Sequence, residues 1–204
     1  IAWKGNIDNS SLTSDSAYLN KLDRITQWED KLVINHESVA QHSYKVALFA
    51  RTLLEDIFGN SEVPEVMKFK VDVVTYALLH DWDEIFISRD ISHETKYNEH
   101  NGEEIRKALD EYVQYAVKKE FSGDENTASY MMMCNIVSPD KEVKIFVKFC
   151  DWLAMCNFIK REISMGNNSM MGYYEYCLKS LEKAAENVKD MLLSKFNQKV
   201  EIKY

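Results

Sequence analysis

Residues that interrupt helices are scarce in this sequence, and their scarcity limits the folds that the chain can adopt. Its 204 residues include two prolines and six glycines, while 46% of all residues are apolar. A sandwich or barrel needs many turns, whereas helices joined by short connections need few of these residues. The sequence therefore predicts an all-α protein, with one domain over residues 1–204 because this length suits a single hydrophobic core.

Apolar residues recur with helical spacing along most of the chain. Their spacing predicts helices over about 16–28, 39–58, 64–80, 99–121, 126–137, 143–163 and 170–196. Ser38 is the expected N-cap of the second helix, and Pro64 suits the first turn of the third. The helix over 143–163 is apolar nearly all round, so we expect it at the centre. The predicted core spans about residues 16–165, and the last helix packs on it.

Charge and cysteine usage narrow the choice of partners and compartment. The net charge of -8 argues against a nucleic-acid polymer as partner, because such binding requires clustered lysines and arginines. No apolar run reaches membrane-spanning length, which argues against a membrane partner. The four cysteines lie in apolar helical patterns without close pairing, as expected of reduced thiols in a cytoplasmic protein. A small phosphate-bearing substrate is compatible with this acidic chain if a metal or a local cationic pocket receives it.

The apolar run over residues 71–79 ends in the doublet His80-Asp81. One nitrogen and one oxygen donor side by side suit a divalent cation such as Mn, Co, Fe, Zn or Mg. Glu84 follows one helical turn later, on the same side if the helix continues. A His-Asp pair also arises by chance, so the other helices have to supply further ligands.

Two other predicted helices carry polar residues in apolar surroundings. His42 lies on the apolar face of the second helix, where a hydrogen-bonded core histidine is the alternative to a ligand. Asp151 lies in the central helix, where a buried carboxylate must be paired or bind a cation, and a salt bridge with Lys148 is the alternative. Ligands from three helices converging in a bundle are a recurrent way to build a metal site, which makes these residues candidate ligands.

The pattern formed by His42, His80-Asp81 and Asp151 resembles that of the HD-domain metal-dependent phosphohydrolases, over about residues 24–162. Within that superfamily the chain is most similar to the bacterial 5'-deoxynucleotidase branch and its phage relatives that hydrolyse deoxynucleotides. The similarity extends to further positions on both sides of the doublet: Arg24, Trp28, Glu37, Gln41, Glu84, Asp90, Lys96, Tyr97 and Lys148. The loop over 89–96 departs from that branch, since it lacks two usual prolines.

The resemblance implies an all-α HD-domain bundle with one divalent cation, Co, Mn, Zn or Mg. It implies that the cation is bound by His42, His80, Asp81 and Asp151. It implies that Glu84 positions or deprotonates the attacking water, and that Arg24 and Asp81 are also catalytic. It implies that the substrate is bound by Arg24 and Lys96 through phosphate oxygens, by Trp28 through packing on the sugar or base, and by Asp90 through a sugar hydroxyl.

The expected activity is release of phosphate from deoxyribonucleoside 5'-monophosphates by a cytoplasmic homo-oligomer. One alternative is a phage-type triphosphohydrolase that acts on deoxynucleoside triphosphates such as dATP with the same ligands. Another is a non-catalytic helical binding module in which the metal serves stability only. A cyclic-nucleotide phosphodiesterase would more often use two metals and more histidines than the five present.

Overall fold

A computed structural model of the protein describes residues 20–90, 100–120 and 139–202. The helices are α1 (Val39–Phe58), α2 (Pro64–Leu79), α3 (Glu84–Ile87), α4 (Gly102–Glu120), α5 (Lys141–Ser164) and α6 (Met171–Phe196), with a 3₁₀ turn at Asn168–Met170. These ranges contain no strand, only an isolated antiparallel bridge between Thr26 and Ser38. The all-α prediction is confirmed, whereas the helix predicted over 126–137 lies outside the described residues.

The start of α1 is fixed by a reciprocal pair of hydrogen bonds. The Ser38 hydroxyl accepts from the Gln41 backbone N–H (3.2 Å), and the Gln41 side chain accepts from the Ser38 N–H (3.0 Å). These bonds satisfy two backbone donors that a helix start otherwise leaves without partners. At the other end Gly59 adopts φ +52°, a left-handed conformation that glycine reaches without steric cost.

The first helix ends six residues earlier than its spacing predicts. Helical backbone stops at Leu22 rather than at Trp28, and turns occupy residues 23–30. Thr26 instead forms its bridge with Ser38, just before α1. Trp28 has φ +68°, which an α-helix cannot contain. Both residues at which the helix was expected and found to end are buried, so apolar spacing alone does not distinguish a helix from this turn.

Helix α5 occupies the centre of the bundle, as its all-round apolar sequence predicts. It packs against α1, α2 and α6. Phe146, Phe149 and Ile159 are among its fully buried side chains. Cys150 and Cys156 are buried thiols on the same helix, in keeping with the reduced cysteines that were expected.

A second, smaller apolar cluster packs around the turn between α2 and α3. Trp82 from this turn and Ile85 from α3 pack with residues of the segment before α1, of α1 itself and of α4, namely Leu22, Ile25, Val39 and Val113. The turn that follows His80 is therefore held by contacts with three other parts of the chain. Its backbone also repeats short-range hydrogen bonds, from the Trp82 N–H to Leu79 and from the Ile85 N–H to Trp82.

A buried carboxylate near the end of α5 ties two connections to the bundle. Glu162 accepts the backbone N–H groups of Ile34 (2.6 Å) and Asn35 (2.9 Å), and the side-chain amides of Asn35 (3.0 Å) and Asn167 (2.9 Å). Burial raises the pKa of Glu162, but these donors outweigh it and hold the pKa below its ordinary value. The charge of Glu162 therefore stabilises the folded loops.

We expect Glu162→Gln to lower the free energy of unfolding by about 2 kcal/mol at pH 7, because hydrogen bonds to a charged acceptor are lost. The carboxylate has a lower pKa in the folded chain, so its contribution is present above the unfolded pKa of about 4.3 and fades as pH falls through the folded pKa. Urea unfolding from pH 7 to pH 3.5 should show the two proteins converging. Glu186→Gln, at an exposed position, is the control, and equal midpoints for Glu162→Gln and the parent at pH 7 would contradict the assignment.

Candidate metal centre

Three side chains from three helices meet in the interior of the bundle. His42 comes from the first turn of α1, His80 from the end of α2 and Asp151 from the middle of α5, and one ligand atom of each lies within 4.8 Å of the others. Bonds of about 2.1 Å to one cation span up to roughly 4.2 Å between ligand atoms. The three groups are therefore close to the spacing of a metal site.

The hydrogen bond of His80 determines which of its nitrogens faces this cluster. Its Nδ1 lies 2.8 Å from the carbonyl oxygen of Ala77, and since a carbonyl only accepts, Nδ1 carries the proton. Nε2 then faces Asp81 Oδ2 at 3.1 Å and Asp151 Oδ1 at 3.9 Å. Within the described ranges this buried nitrogen makes no well-directed hydrogen bond. A lone pair opposite two carboxylates requires a positive charge between them.

The donor set fits a divalent cation. A histidine that ligates through one nitrogen and donates its other N–H to a backbone carbonyl is the usual arrangement at protein metal sites. Imidazole nitrogens with carboxylate oxygens suit Zn, Mn and Co, while carboxylates also suit Mg. His42 Nε2 lies 3.0 Å from Asp151 Oδ1, so a second imidazole faces the same oxygen.

The electrostatics of the cluster favour a bound positive charge. Burial lowers the pKa of His80, but the charges of Asp81 and Asp151 outweigh it and raise the pKa to about 9. Burial raises the pKa of Asp151, yet the Lys148 ammonium and the hydrogen bond with His42 hold it well below its usual range. Without a metal, a proton on His80 supplies the missing charge, and a cation competes with that proton.

Asp81 lies at the edge of the cluster. It is outside the 4.8 Å group, although its Oδ2 lies 3.1 Å from His80 Nε2. Its side chain is about one-fifth exposed, so water or substrate can approach from this side. Its role as a fourth ligand stays a prediction.

Glu84 lies in the turn that follows the doublet. Helix α2 ends at Leu79 and α3 begins at Glu84, so the single continuous helix that would place Glu84 beside His80 is absent. The Glu84 backbone N–H donates to the Asp81 carbonyl (3.1 Å), which keeps the two residues within one turn. The Glu84 side chain is buried, at 1% exposure. Its role towards the attacking water stays a prediction.

Trp28 is held tightly beside the centre of the bundle. Its ring stacks on Phe158, with centroids 5.2 Å apart and planes 7° apart, and meets Tyr173 edge-on at 5.6 Å. Its backbone N–H donates to Asp90 Oδ2 at 2.9 Å. Its indole Nε1 is buried and has no hydrogen-bond partner among the described residues. Because Phe158 covers one face, the predicted contact with a sugar or base has to use the other face or the ring edge.

Of the two residues predicted to bind phosphate, the structure describes one. Arg24 is exposed in the turn after residue 22, and no hydrogen bond or ion pair joins its side chain to another residue of the described ranges. Lys96 lies outside the described residues. Contact of either residue with phosphate stays a prediction.

The structure adds residues that the sequence interpretation passed over. Phe158 and Glu162 follow Asp151 by seven and eleven residues, so all three lie on one face of α5. That spacing was a signal available in the sequence. Lys148 forms the ion pair that was weighed against a metal role for Asp151, with Nζ 2.8 Å from Asp151 Oδ2. The two interpretations are compatible, because the imidazoles face the other carboxylate oxygen.

This all-α bundle with its histidine and aspartate cluster has the architecture of the HD-domain phosphohydrolases. The structure is similar to an HD-domain phosphohydrolase from Listeria innocua (TM-score 0.63, 23% identity, 90% of each chain covered). It is also similar to the cyanophage S-2L HD phosphohydrolase DatZ, solved with dA and one catalytic Zn²⁺ ion (TM-score 0.56, 16% identity, 89% of this chain and 94% of that one). A conserved hypothetical protein from Pyrococcus furiosus gives TM-score 0.53 at 23% identity, over 87% of this chain and 99% of that one.

The sequence identifies the family within this class. The family model described as 5'-deoxynucleotidase YfbR-like matches residues 16–200, and the chain belongs to this family. It is therefore a hydrolase that acts on phosphate esters of nucleotides. No curated protein gives a significant match. Within the described ranges, no helix is both long and apolar enough to cross a membrane.

Binding of a divalent cation should raise the melting temperature of the protein. At a metal concentration of about one hundred times Kd we expect a rise of roughly 5–10 °C, because the cation binds only the folded chain. Asp151→Asn should abolish this rise, since it removes the charge that faces both imidazoles. Differential scanning fluorimetry with Mn²⁺, Co²⁺ and Zn²⁺ measures it.

The matched control is Asp110→Asn, at an exposed position on α4, which should respond to metal as the parent does. An equal metal-induced rise in Asp151→Asn and the parent would place the cation elsewhere.

Proposed function

We propose that the protein is a metal-dependent 5'-deoxynucleotidase that releases phosphate from deoxyribonucleoside 5'-monophosphates. The family match over residues 16–200, together with the cluster of His42, His80 and Asp151, carries this proposal. The cation is one of Co, Mn, Zn or Mg, with Asp81 as its fourth protein ligand. Assembly as a homo-oligomer and a cytoplasmic location stay predictions.

The chain supplies groups for each part of the hydrolysis. A bound divalent cation lowers the pKa of water and withdraws charge from a phosphoryl oxygen. Glu84, next to the ligands in sequence, takes the proton from the attacking water. Arg24 and Lys96 hold the other phosphate oxygens and offset the negative charge that develops during transfer.

The surroundings of Trp28 support a role in holding the nucleoside. A bulky residue with φ +68° carries strain of about 1–3 kcal/mol, and such strain is concentrated at functional sites. Burial of its Nε1 donor without a hydrogen-bond partner lowers the stability of the fold by about a further 1–3 kcal/mol, which a partner from the substrate would restore. A sugar or base oxygen is such a partner. Asp90 accepts the Trp28 N–H, and we propose that it also accepts a sugar hydroxyl of the substrate.

Two observations weigh against the competing functions. A triphosphate carries more negative charge than a monophosphate, and the net charge of -8 disfavours its approach. The dA bound by the cyanophage relative is a nucleoside common to mono- and triphosphates, so it favours neither. A metal that served stability alone would not require a fully buried carboxylate such as Glu84 in the turn that follows the His80-Asp81 doublet.

A substrate panel tests the proposal directly. With Mn²⁺ or Co²⁺, the protein should release orthophosphate from dAMP and the other deoxyribonucleoside monophosphates, and less from AMP. Release of triphosphate or pyrophosphate from dATP in preference would establish the triphosphohydrolase instead. No phosphate product from any substrate, despite metal binding, would favour the binding module.

Glu84→Gln should lower kcat by about 10²-fold or more, because the general base is lost while the shape is kept. Metal-induced stabilisation should persist, since Glu84 is not a proposed ligand. Glu103→Gln, exposed on α4, should behave as the parent in both measurements. Unchanged kcat in Glu84→Gln would exclude it as the base.

Trp28→Phe separates a substrate contact from a packing role. The variant keeps an aromatic ring on Phe158 and removes the buried donor, but the smaller ring leaves a cavity, so we expect stability to fall by about 1–3 kcal/mol. If Nε1 binds the nucleoside, KM for dAMP should rise about tenfold, the effect of one hydrogen bond. A purely structural role predicts an unchanged KM, which steady-state kinetics would reveal.

A further inference from the structure

We propose that Lys148 is a positioning residue that makes Asp151 present a single carboxylate oxygen to the metal. This inference rests on the proposed metal-dependent function. It concerns a residue outside the ligand cluster whose contact with Asp151 divides the two oxygens of that carboxylate between different partners.

The two oxygens of Asp151 face different groups. Oδ1 lies 3.0 Å from His42 Nε2 and 3.9 Å from His80 Nε2, so it points into the cluster. Oδ2 lies 2.8 Å from Nζ of Lys148, three residues earlier on α5. The Asp151 side chain is buried, so its orientation is fixed by these contacts rather than by water.

The ammonium group of Lys148 is itself held in place. It lies 4.9 Å from the ring centroid of Trp152, where a cation is attracted to the aromatic face. Trp152 is buried and meets the ring of Tyr176 from α6 edge-on, at 5.9 Å. The position of the charge is therefore set by packing between α5 and α6, one turn of helix from the metal ligand.

This arrangement has a consequence for the coordination of a cation. A carboxylate with both oxygens available can bind a cation through both of them, which uses an additional coordination position. With Oδ2 engaged by Lys148, Asp151 offers Oδ1 alone. Catalytic metal sites depend on such an open position for water or substrate. Lys148 also draws negative charge from Asp151, so the cation keeps more of its own charge for the phosphoryl oxygen.

A different role for Lys148 makes different predictions. Its side chain is 40% exposed, so its ammonium group is also accessible to a phosphate. A residue that only contacts substrate changes KM and leaves the metal unaltered when no substrate is present. A residue that positions Asp151 changes the coordination of the metal in the absence of substrate. Measurements without substrate therefore separate the two roles.

The experiment compares the parent, Lys148→Met, Lys148→Arg and the control Lys144→Met, in the full chain loaded with Co²⁺. Lys144 is exposed one helical turn earlier, so its substitution removes an equal charge from the same helix. Visible absorption without substrate reports the coordination of Co²⁺, because the bands weaken as the coordination number rises. Titration gives the Co²⁺ affinity, and steady-state kinetics with dAMP give kcat and KM.

We expect Lys148→Met to weaken the Co²⁺ bands or lower the Co²⁺ affinity, and to lower kcat by about 10–100-fold with KM little changed. Lys148→Arg should restore both the spectrum and kcat, and Lys144→Met should match the parent. If Lys148→Met has the Co²⁺ spectrum and affinity of the parent, the inference is overturned. If its KM is also raised, Lys148 contacts the substrate instead. Failure of the parent to bind Co²⁺ would overturn the proposed function itself, which is a distinct outcome.

Discussion

The rest of the site depends on how the buried carboxylate of Asp151 is compensated. It lies within the most apolar helix of the bundle, at 7% exposure. A lone carboxylate there would cost several kcal/mol, so its charge must be matched by hydrogen bonds and positive groups. His42 and Lys148 supply them on opposite oxygens, and His80 completes the cluster. The requirement to compensate one buried charge thus gathers residues that lie up to 109 positions apart in sequence.

Helix α5 turns that local requirement into a whole site. One of its faces carries Asp151, then Phe158, then Glu162, so a single rigid element holds a residue of the candidate metal cluster, the ring on which Trp28 stacks and the anchor for residues 34–35. Side chains on one helix keep fixed relative positions, which is the precision that catalysis requires. Residues 23–38 form turns and one isolated bridge, and they are held by these contacts with α5.

The geometry of Trp28 links the nucleoside-binding proposal to the metal cluster. Its strained backbone persists because Asp90 accepts its N–H and Phe158 stacks on its ring. Asp90 follows α3, close in sequence to the turn that carries Asp81, so the partner of Trp28 and the edge of the metal cluster belong to one short segment of chain. A nucleotide that contacted both would gain from positions that the fold has already fixed, since little ordering is left for binding to supply.

Local sequence determined the all-α class and most helix boundaries, because apolar periodicity and capping act within a few turns of helix. The pattern shared with the HD-domain proteins singled out His42, His80 and Asp151, which the fold brings together. The tertiary structure alone decided that the helix preceding α1 ends before Trp28 and that α2 stops at Leu79. It also decided that Lys148 and the imidazoles contact different oxygens of Asp151. Those features depend on hydrogen bonds and packing between distant segments. Spacing along the chain indicates which face a residue shares, but only the assembled core sets which atoms meet.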